Sequence, residues 1–342
     1  VPNDVVSRAI DQVCAGENLT ADHASTVLAE IMEGRAEPIQ TGAFLIALRA
    51  KGETVSELVG LARTMRALAA PVHTDRADLV DTAGTGGGPS TFNVSTTAAL
   101  VAAAAGCPVA KHGNRSATSK SGSADVLEAL GVDVNISPEA VGHCIDEVGF
   151  GFMFAQVHHS AMAHVGPARA GLGVRTVFNF LGPLTNPAGA TRQLVGVADR
   201  HYQETIAEAL IGLGTERALV VSAEDGVDEL SLSAPTRVIE VFEGRTAEWF
   251  AEPGQYGLAP LELGQIAGGT PAENAAATRA VLAGDPGPHR DIVLLNAAAA
   301  IYVGGLAADL EDGVGKAAAA IDSGAAVNLL DKLIAATVAA GG

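Results

Sequence analysis

Cysteine is scarce. The 342-residue sequence has three, Cys14, Cys107 and Cys144, far apart and in neither an even framework nor a CxxC pair. That pattern excludes a disulfide-stapled secreted domain and a cysteine-rich metal module, and it points to a reducing compartment, the cytoplasm. Long unbroken apolar runs are missing too. The longest, at 97–110 and 293–308, are alanine-rich and interrupted by Thr, Asn or Gly, so they read as buried helices and no membrane association is expected. No basic stretch followed by an apolar run and a cleavage site opens the sequence, so no secretory route is expected. Positive charge is in short supply. Against 39 Asp and Glu stand 21 Lys and Arg, a net charge of -18; neutralising a phosphate backbone needs a broad basic face, so nucleic acid is not expected as a partner. Of only five lysines, Lys111 and Lys120 fall in one ten-residue segment with His112 and Arg115. That concentration marks a candidate anion site.

What is present is a globular composition, 48% hydrophobic and 18% charged, in a chain long enough for two cores or one large elaborated one. Residues 1–70 read as helices: an apolar-periodic stretch to about Val13, a second after Thr20, a third entering at Pro38, and a fourth behind a capping box of Thr54 and Glu57. Pro71 ends this block. From Ala77 short apolar runs alternate with polar or glycine-rich turns and helices, with strands expected at 79–81, 107–110, 194–197 and 219–222. Such alternation predicts a mostly parallel sheet flanked by helices. The segment 158–187 interrupts it and is expected to join the N-terminal helices in space, making that domain discontinuous, while the tail from Ala272 reads as alanine-rich helix. The fold class is therefore an all-α domain at 1–70 plus a larger α/β domain at 77–342.

Two loops carry the chemistry. The first runs from Asp81 through Gly84, Gly86, Gly87, Gly88, Thr91, Ser95 and Thr96, between an expected strand and an expected helix. Glycines let N–H groups converge on an anion, and a helix N-terminus with hydroxyls completes a phosphate cradle. It is neither a Walker loop nor a dinucleotide fingerprint. A glycine cluster by itself also reads as a tight turn; its position between strand and helix favours the anion. The second loop, Lys111 to Asp125, again follows a strand. Its two ammonium groups, one guanidinium and several hydroxyls suit a sugar polyphosphate better than a single carboxylate, although a solvated surface loop has the same letters. Taken alone, Asp228-Glu229 reads as a solvated turn, Arg169 as a surface arginine, and His158, His159 and His164 as surface or partner-bound, since HExxH is absent.

Five separated runs go further. KHGNRSATSKSGSADVLEALG at 111–131, GTGG followed by TFNVST in the first loop, RTVFNFLGPLTNPA at 175–188, DGVDELS at 225–231 and AFLIALRAKGETVSEL at 43–58 resemble the anthranilate phosphoribosyltransferase family over nearly the whole chain. The resemblance implies a nucleoside phosphorylase/phosphoribosyltransferase-like fold and transfer of the phosphoribosyl group of phosphoribosyl pyrophosphate (PRPP) to the amine of anthranilate, in tryptophan biosynthesis. It implies Mg²⁺ as cofactor, a cytoplasmic location and a homodimer through the helical domain. In the first loop it implies PRPP contacts from Gly84, Gly87, Thr91, Asn93, Val94, Ser95 and Thr96. In the second it implies them from Lys111, His112, Gly113, Asn114, Arg115, Ser116, Ala117, Thr118, Ser119 and Ser123. Ser95, Asp228 and Glu229 are implied as metal ligands, and Gly84, His112, Asn114 and Arg169 as the anthranilate site.

Loss of pyrophosphate through an oxocarbenium-like state needs charge stabilisation of the leaving group, and an aromatic amine is neutral and nucleophilic at pH 7, so no acid or base residue is assigned. Two departures from the family pattern stand out. Gly87 runs into Gly88-Pro89-Ser90-Thr91 where the family has Asp, and Ala170-Gly171 replace a basic and an acidic residue. A pyrimidine-nucleoside phosphorylase shares the expected fold, and an inactive relative binding nucleotide or nucleic acid is the non-enzymatic alternative. Loss of anthranilate fluorescence with PRPP and Mg²⁺ separates them.

Overall fold

The structure is a computed structural model that describes residues 1–116 and 119–341. Four N-terminal helices, α1 (Asp4–Cys14), α2 (Ala21–Met32), α3 (Pro38–Lys51) and α4 (Val55–Leu68), begin where side chains satisfy the free N–H groups of a helix start. Asn3 accepts from the N–H of Val5 and Val6, and Thr20 from that of His23. At α4 the Glu57 carboxylate accepts from the Thr54 N–H at 2.8 Å. Glu57 is fully buried, where an unpaired carboxylate would be costly. The Lys51 ammonium at 3.0 Å and the Leu19 N–H at 2.9 Å satisfy it, so one cap also ties the α1–α2 connection and the end of α3 to α4.

Beyond the bundle come β1 (Val80–Gly84), α5 (Val94–Ala104), β2 (Val109–Gly113), α6 (Ser123–Leu130), α7 (Pro138–Val148) and β3 (Phe150–Phe154). Three short helices follow, α8 (Ala155–His158), α9 (Gly166–Leu172) and α10 (Phe178–Leu181). The sheet resumes with β4 (Arg192–Gly196), α11 (Gln203–Gly212), β5 (Arg217–Ala223), β6 (Thr236–Phe242) and β7 (Arg245–Ala251). The tail is helical: α12 (Pro271–Leu282), α13 (Pro288–Val303), α14 (Leu310–Asp322) and α15 (Ala325–Gly341). Three strands lie outside those expected. In β3 every residue of FGFMF is buried, so no alternation marks it, and β6 and β7 form an antiparallel extension at the sheet edge.

Among the described residues the sheet has seven strands in the order β3-β2-β1-β4-β5-β6-β7, parallel from β3 to β5. The chain builds β1, β2 and β3 in one direction and then returns to lay β4 on the other side of β1. That reversal opens a crevice outside the carboxyl ends of β1 and β4, the general ligand position of such sheets. Alternate strand residues point to opposite faces. Leu194, Leu219, Val221 and Val238 join the core that the C-terminal helices cover. Val195, Val220, Ile239 and Val241 join a second core with α11 and the N-terminal bundle, so the bundle is continuous with one face of the sheet.

Residues 165–184 enter that second core through Val165, Val177, Phe178, Phe180, Leu181 and Leu184. Polar stitches hold the segment to the bundle. The Arg66 guanidinium donates to the Leu184 carbonyl at 2.7 Å, and the Ala70 N–H donates to the His158 carbonyl at 2.8 Å.

Candidate active site

Gly84 ends β1 and pairs in register with Gly196 at the end of β4. Neither position has room for a side chain: a Cβ on Gly84 would meet the Asp228 carboxylate, and one on Gly196 the Asp228 carbonyl. The loop after β5 therefore lies directly across the crevice, and the Gly86 N–H donates to Asp228 Oδ2 at 2.8 Å. The shortened stretch Gly88-Pro89 packs on the same loop, with the Gly226 carbonyl in the space of a Gly88 side chain. Gly84, Gly86 and Gly87 remain at the mouth, where all three are exposed.

Past the glycines, Thr91 bridges to Ala267 and the Phe92 N–H donates to the Ile266 carbonyl at 2.9 Å, which leads the chain into α5. Asn93 precedes α5, and its side chain is held in place. It exchanges bonds with Ser121 at 3.1 and 3.0 Å and accepts from Asn274 at 2.8 Å, so it splices the first loop to the second. Val94, Ser95 and Thr96 form the first turn of α5, where free N–H groups attract anions. The Thr96 hydroxyl is buried and has no partner among the described residues.

Under this turn lies Lys111, on β2 and almost fully buried. Its ammonium donates to the carbonyl and hydroxyl of Thr82 and lies 3.5 Å from Ser95 Oγ. Burial pushes its pKa down against the pull of Asp81, Glu229 and Asp228. Asp81, wholly buried, accepts from the His112 N–H at 3.0 Å and Asn186 Nδ2 at 2.8 Å; burial nonetheless raises its carboxyl, opposed mainly by Lys111.

Gly113 ends β2, and the second loop folds back on α6. The Asn114 carbonyl accepts from Ser123 Oγ at 3.2 Å, and Ser116 and Ser119 hydroxyls meet at 2.6 Å. Arg115 turns its guanidinium to Asp125 and Glu128, at 2.8 and 2.6 Å, and over the Phe154 ring, so its charge is already paired. Ala117 and Thr118 lie outside the described residues.

A pair of carboxylates set against an anion cradle is electrostatically contradictory unless a cation lies between them. Burial raises the Glu229 carboxyl to about 8, with Asp228 adding to the rise and Lys111 and the Ser95 N–H opposing it. Two carboxylates and the Ser95 hydroxyl are hard oxygen donors of the kind Mg²⁺ takes. Among the described residues no three His, Cys, Asp or Glu side chains gather into a self-sufficient metal cage. A cation here would complete its shell with water and substrate oxygens, as Mg²⁺ characteristically does.

The opposite wall comes from 158–187. Arg169 on α9 is half-buried, stacks over Phe178 at 5.3 Å and has no ion-pair partner among the described residues, while burial lowers its pKa. A guanidinium in that state can receive a carboxylate. His112 faces the same segment: its Nδ1 lies 3.1 Å from the Gly182 carbonyl, its ring is 5.0 Å from that of His159, and its Nε2 is buried without a partner among the described residues. Burial, then His159, brings its pKa down to about 3. Of the two roles expected for His158 and His159, surface or partner-bound, the surface one fails. Both are buried, because this segment is folded against the bundle and the sheet end, and His158 Nδ1 is 3.0 Å from the Ala70 carbonyl. His164 is exposed. One residue escaped the sequence reading altogether. Arg175 reaches across the crevice to the carbonyls of Gly86 and Thr85, at 2.7 and 3.1 Å. Its only signal was its place at the head of the run 175–188.

Residues 76–327 match the glycosyl transferase family a/b domain, and residues 7–69 its helical bundle domain. The anthranilate phosphoribosyltransferase of Symbiobacterium thermophilum is 52% identical over 323 residues, 94% of this chain and 95% of that one. The crystal structure of the anthranilate phosphoribosyltransferase of Thermus thermophilus superposes with a TM-score of 0.92 at 46% identity, covering 96% of this chain and 99% of that one. The Saccharomyces cerevisiae enzyme in complex with PRPP and Mg superposes with a TM-score of 0.89 at 28% identity, over 98% of each chain.

Proposed function

This chain belongs to the anthranilate phosphoribosyltransferase family, and we propose from that premise how its residues divide the work. The enzyme transfers the phosphoribosyl group of PRPP to the amine of anthranilate, releasing pyrophosphate, and uses Mg²⁺; the step belongs to tryptophan biosynthesis. The α/β unit holds PRPP. Gly84 and Gly87, with Thr91, Asn93, Val94, Ser95 and Thr96, receive the diphosphate and ribose, and the loop from Lys111 to Ser123 closes the other side. Ser95, Asp228 and Glu229 would hold Mg²⁺, which would supply charge neutralisation for the leaving pyrophosphate. The observation that carries this reading is the contact between Gly86 and Asp228, because it sets the cradle and the carboxylates side by side.

Anthranilate lies against Gly84, His112, Asn114 and Arg169, with the Arg169 guanidinium on its carboxylate. His112 Nδ1 donates to the Gly182 carbonyl, which leaves the lone pair on Nε2. A neutral imidazole with that tautomer accepts an N–H from the substrate amine and aims the nitrogen lone pair. With a pKa near 3 it is no general base at pH 7, so no residue is assigned as acid or base. Consumption of anthranilate, followed by the loss of its fluorescence, is expected with PRPP and Mg²⁺ and not with free phosphate and a nucleoside. The reverse result overturns the reading.

The helical unit is discontinuous in the same proposal, residues 1–70 joined by about 158–187, beside an α/β unit of 77–342; the shared apolar cluster of Val165 to Leu184 with α3 and α4 supports it. A homodimer forms through this unit. Ile39, Ala43, Ile46 and Ala50 are exposed along one stripe of α3, Ile39 at 81%, and a second copy would cover them. The cytoplasm is the proposed compartment, in keeping with three free thiols.

A further inference from the structure

Apart from Thr85, whose hydroxyl accepts from the Ala198 N–H at 3.2 Å, the glycine loop has no side chain with which to hold its own shape. Gly84, Gly86, Gly87 and Gly88 fall within five residues, and Gly86 and Gly87 have φ of 63° and 93°. Such a chain turns its carbonyls toward a bound anion as readily as its N–H groups, and a carbonyl facing a diphosphate repels it. Something outside the loop has to fix the peptide planes.

Arg175 meets that need. Its Nη1 donates to the Gly86 carbonyl at 2.7 Å and its Nη2 to the Thr85 carbonyl at 3.1 Å. The same guanidinium fills the space that a side chain on Gly87 would take. Arg175 is itself held: its carbonyl accepts from Arg49 Nη1 on α3 at 2.9 Å, and the next N–H, of Thr176, donates to Asn179 Oδ1 at 3.0 Å. No carboxylate pairs with it among the described residues, so its charge stays available beside the loop. A planar fork can bridge two carbonyls while presenting a cation; an ammonium cannot do so in one fixed geometry.

We propose that Arg175 is a positioning residue for the diphosphate: it draws the Thr85 and Gly86 carbonyls away from the anion and couples the loop to the segment carrying Arg169. This rests on the PRPP reading above. Filling the loop tightens the contact to Arg175, and the Arg169 segment moves with it, so the two substrates reinforce each other's binding.

Titration calorimetry of Mg²⁺ with inorganic pyrophosphate, and separately of anthranilate, tests it in the wild type, Arg175→Ala and Arg175→Lys. Arg175→Ala is expected to weaken pyrophosphate by about tenfold or more, to leave anthranilate alone within about twofold, and to abolish the gain in anthranilate affinity that pyrophosphate gives the wild type. The Lys variant recovers part of the pyrophosphate loss. In steady state the KM for PRPP rises while kcat changes little. Gly87→Ala keeps Arg175 but displaces its guanidinium, and it is expected to reproduce the loss if Arg175→Ala fails to fold. Wild-type pyrophosphate affinity in a folded Arg175→Ala, or in Gly87→Ala, overturns the role of Arg175. A wild type that binds no pyrophosphate overturns the PRPP reading itself.

Discussion

The two walls of the crevice are built by opposite strategies. On the α/β side nearly every group is already spoken for: Asn93 is locked to Ser121 and Asn274, Asp81 to His112 and Asn186, Lys111 to Thr82, and Arg115 to α6. On the helical side Arg169 stands over Phe178 without a partner among the described residues, and His112, which faces it, keeps an unpaired Nε2. A highly charged diphosphate demands donors fixed in advance, because reorganising them during the reaction would forfeit much of their electrostatic value. A flat aromatic acid needs one charge-assisted contact and a wall. The difference fits the proposed division, in which the α/β side bears the chemistry and the helical side selects the acceptor.

The sharpest way to break that contrast is to remove the carboxylates from the organised wall. Asp228→Ala with Glu229→Ala is expected to cost roughly three orders of magnitude or more in turnover, with an unchanged circular dichroism spectrum because little apolar packing is lost. Undiminished Mg²⁺-dependent turnover would sink the metal assignment. A smaller effect is expected on the open wall. Arg169→Ala removes one charge-assisted contact, worth about 1.5 to 3 kcal/mol, or about one to two orders of magnitude in kcat/KM for anthranilate, with the KM for PRPP nearly constant. A rise in the PRPP KM instead would move Arg169 to the other wall.

The smallest effect concerns the seam between them. Burial holds His112 near 3 and His159 near 4, below the ordinary 6.5. The unfolded chain therefore binds more protons than the folded one from about pH 6.5 downward, so this stabilisation is complete above pH 6.5 and drains away as pH falls toward 4. Asp81 and Glu229, raised by burial, act in the opposite sense, so the comparison must be made against a variant. Lowering the pH from 7 to 5 is expected to reduce the Tm of the wild type a few degrees more than that of His159→Asn. Equal losses in the two proteins would show that His159 is not held neutral.

Much of this was legible in the residues alone. The starts of the bundle helices follow from Thr20, Pro38, Thr54 and Glu57, since capping and proline act within one turn of chain, and both anion loops follow from glycine, hydroxyl and lysine between strand and helix. The strand FGFMF at β3 was not legible, because burial on both faces erases the alternation that marks a strand. Nor was the burial of His158 and His159, which depends on what the bundle lays over them.

Sequence by itself carried the parts of the candidate site: a glycine loop and a basic loop specified by neighbours a few residues away, and a carboxylate pair and a lone arginine that only the family resemblance marked out. Tertiary structure alone decided that these parts meet. Laying β4 beside β1 brings the Asp228 loop onto Gly84 and Gly86, the latter 142 residues distant, and folding 158–187 onto the bundle carries Arg175 across to the carbonyl of the same residue, Gly86, 89 residues away. Local periodicity records which face of an element is apolar; it holds no record of which strand end lies next to which, because that depends on how the whole sheet and both its cores pack together.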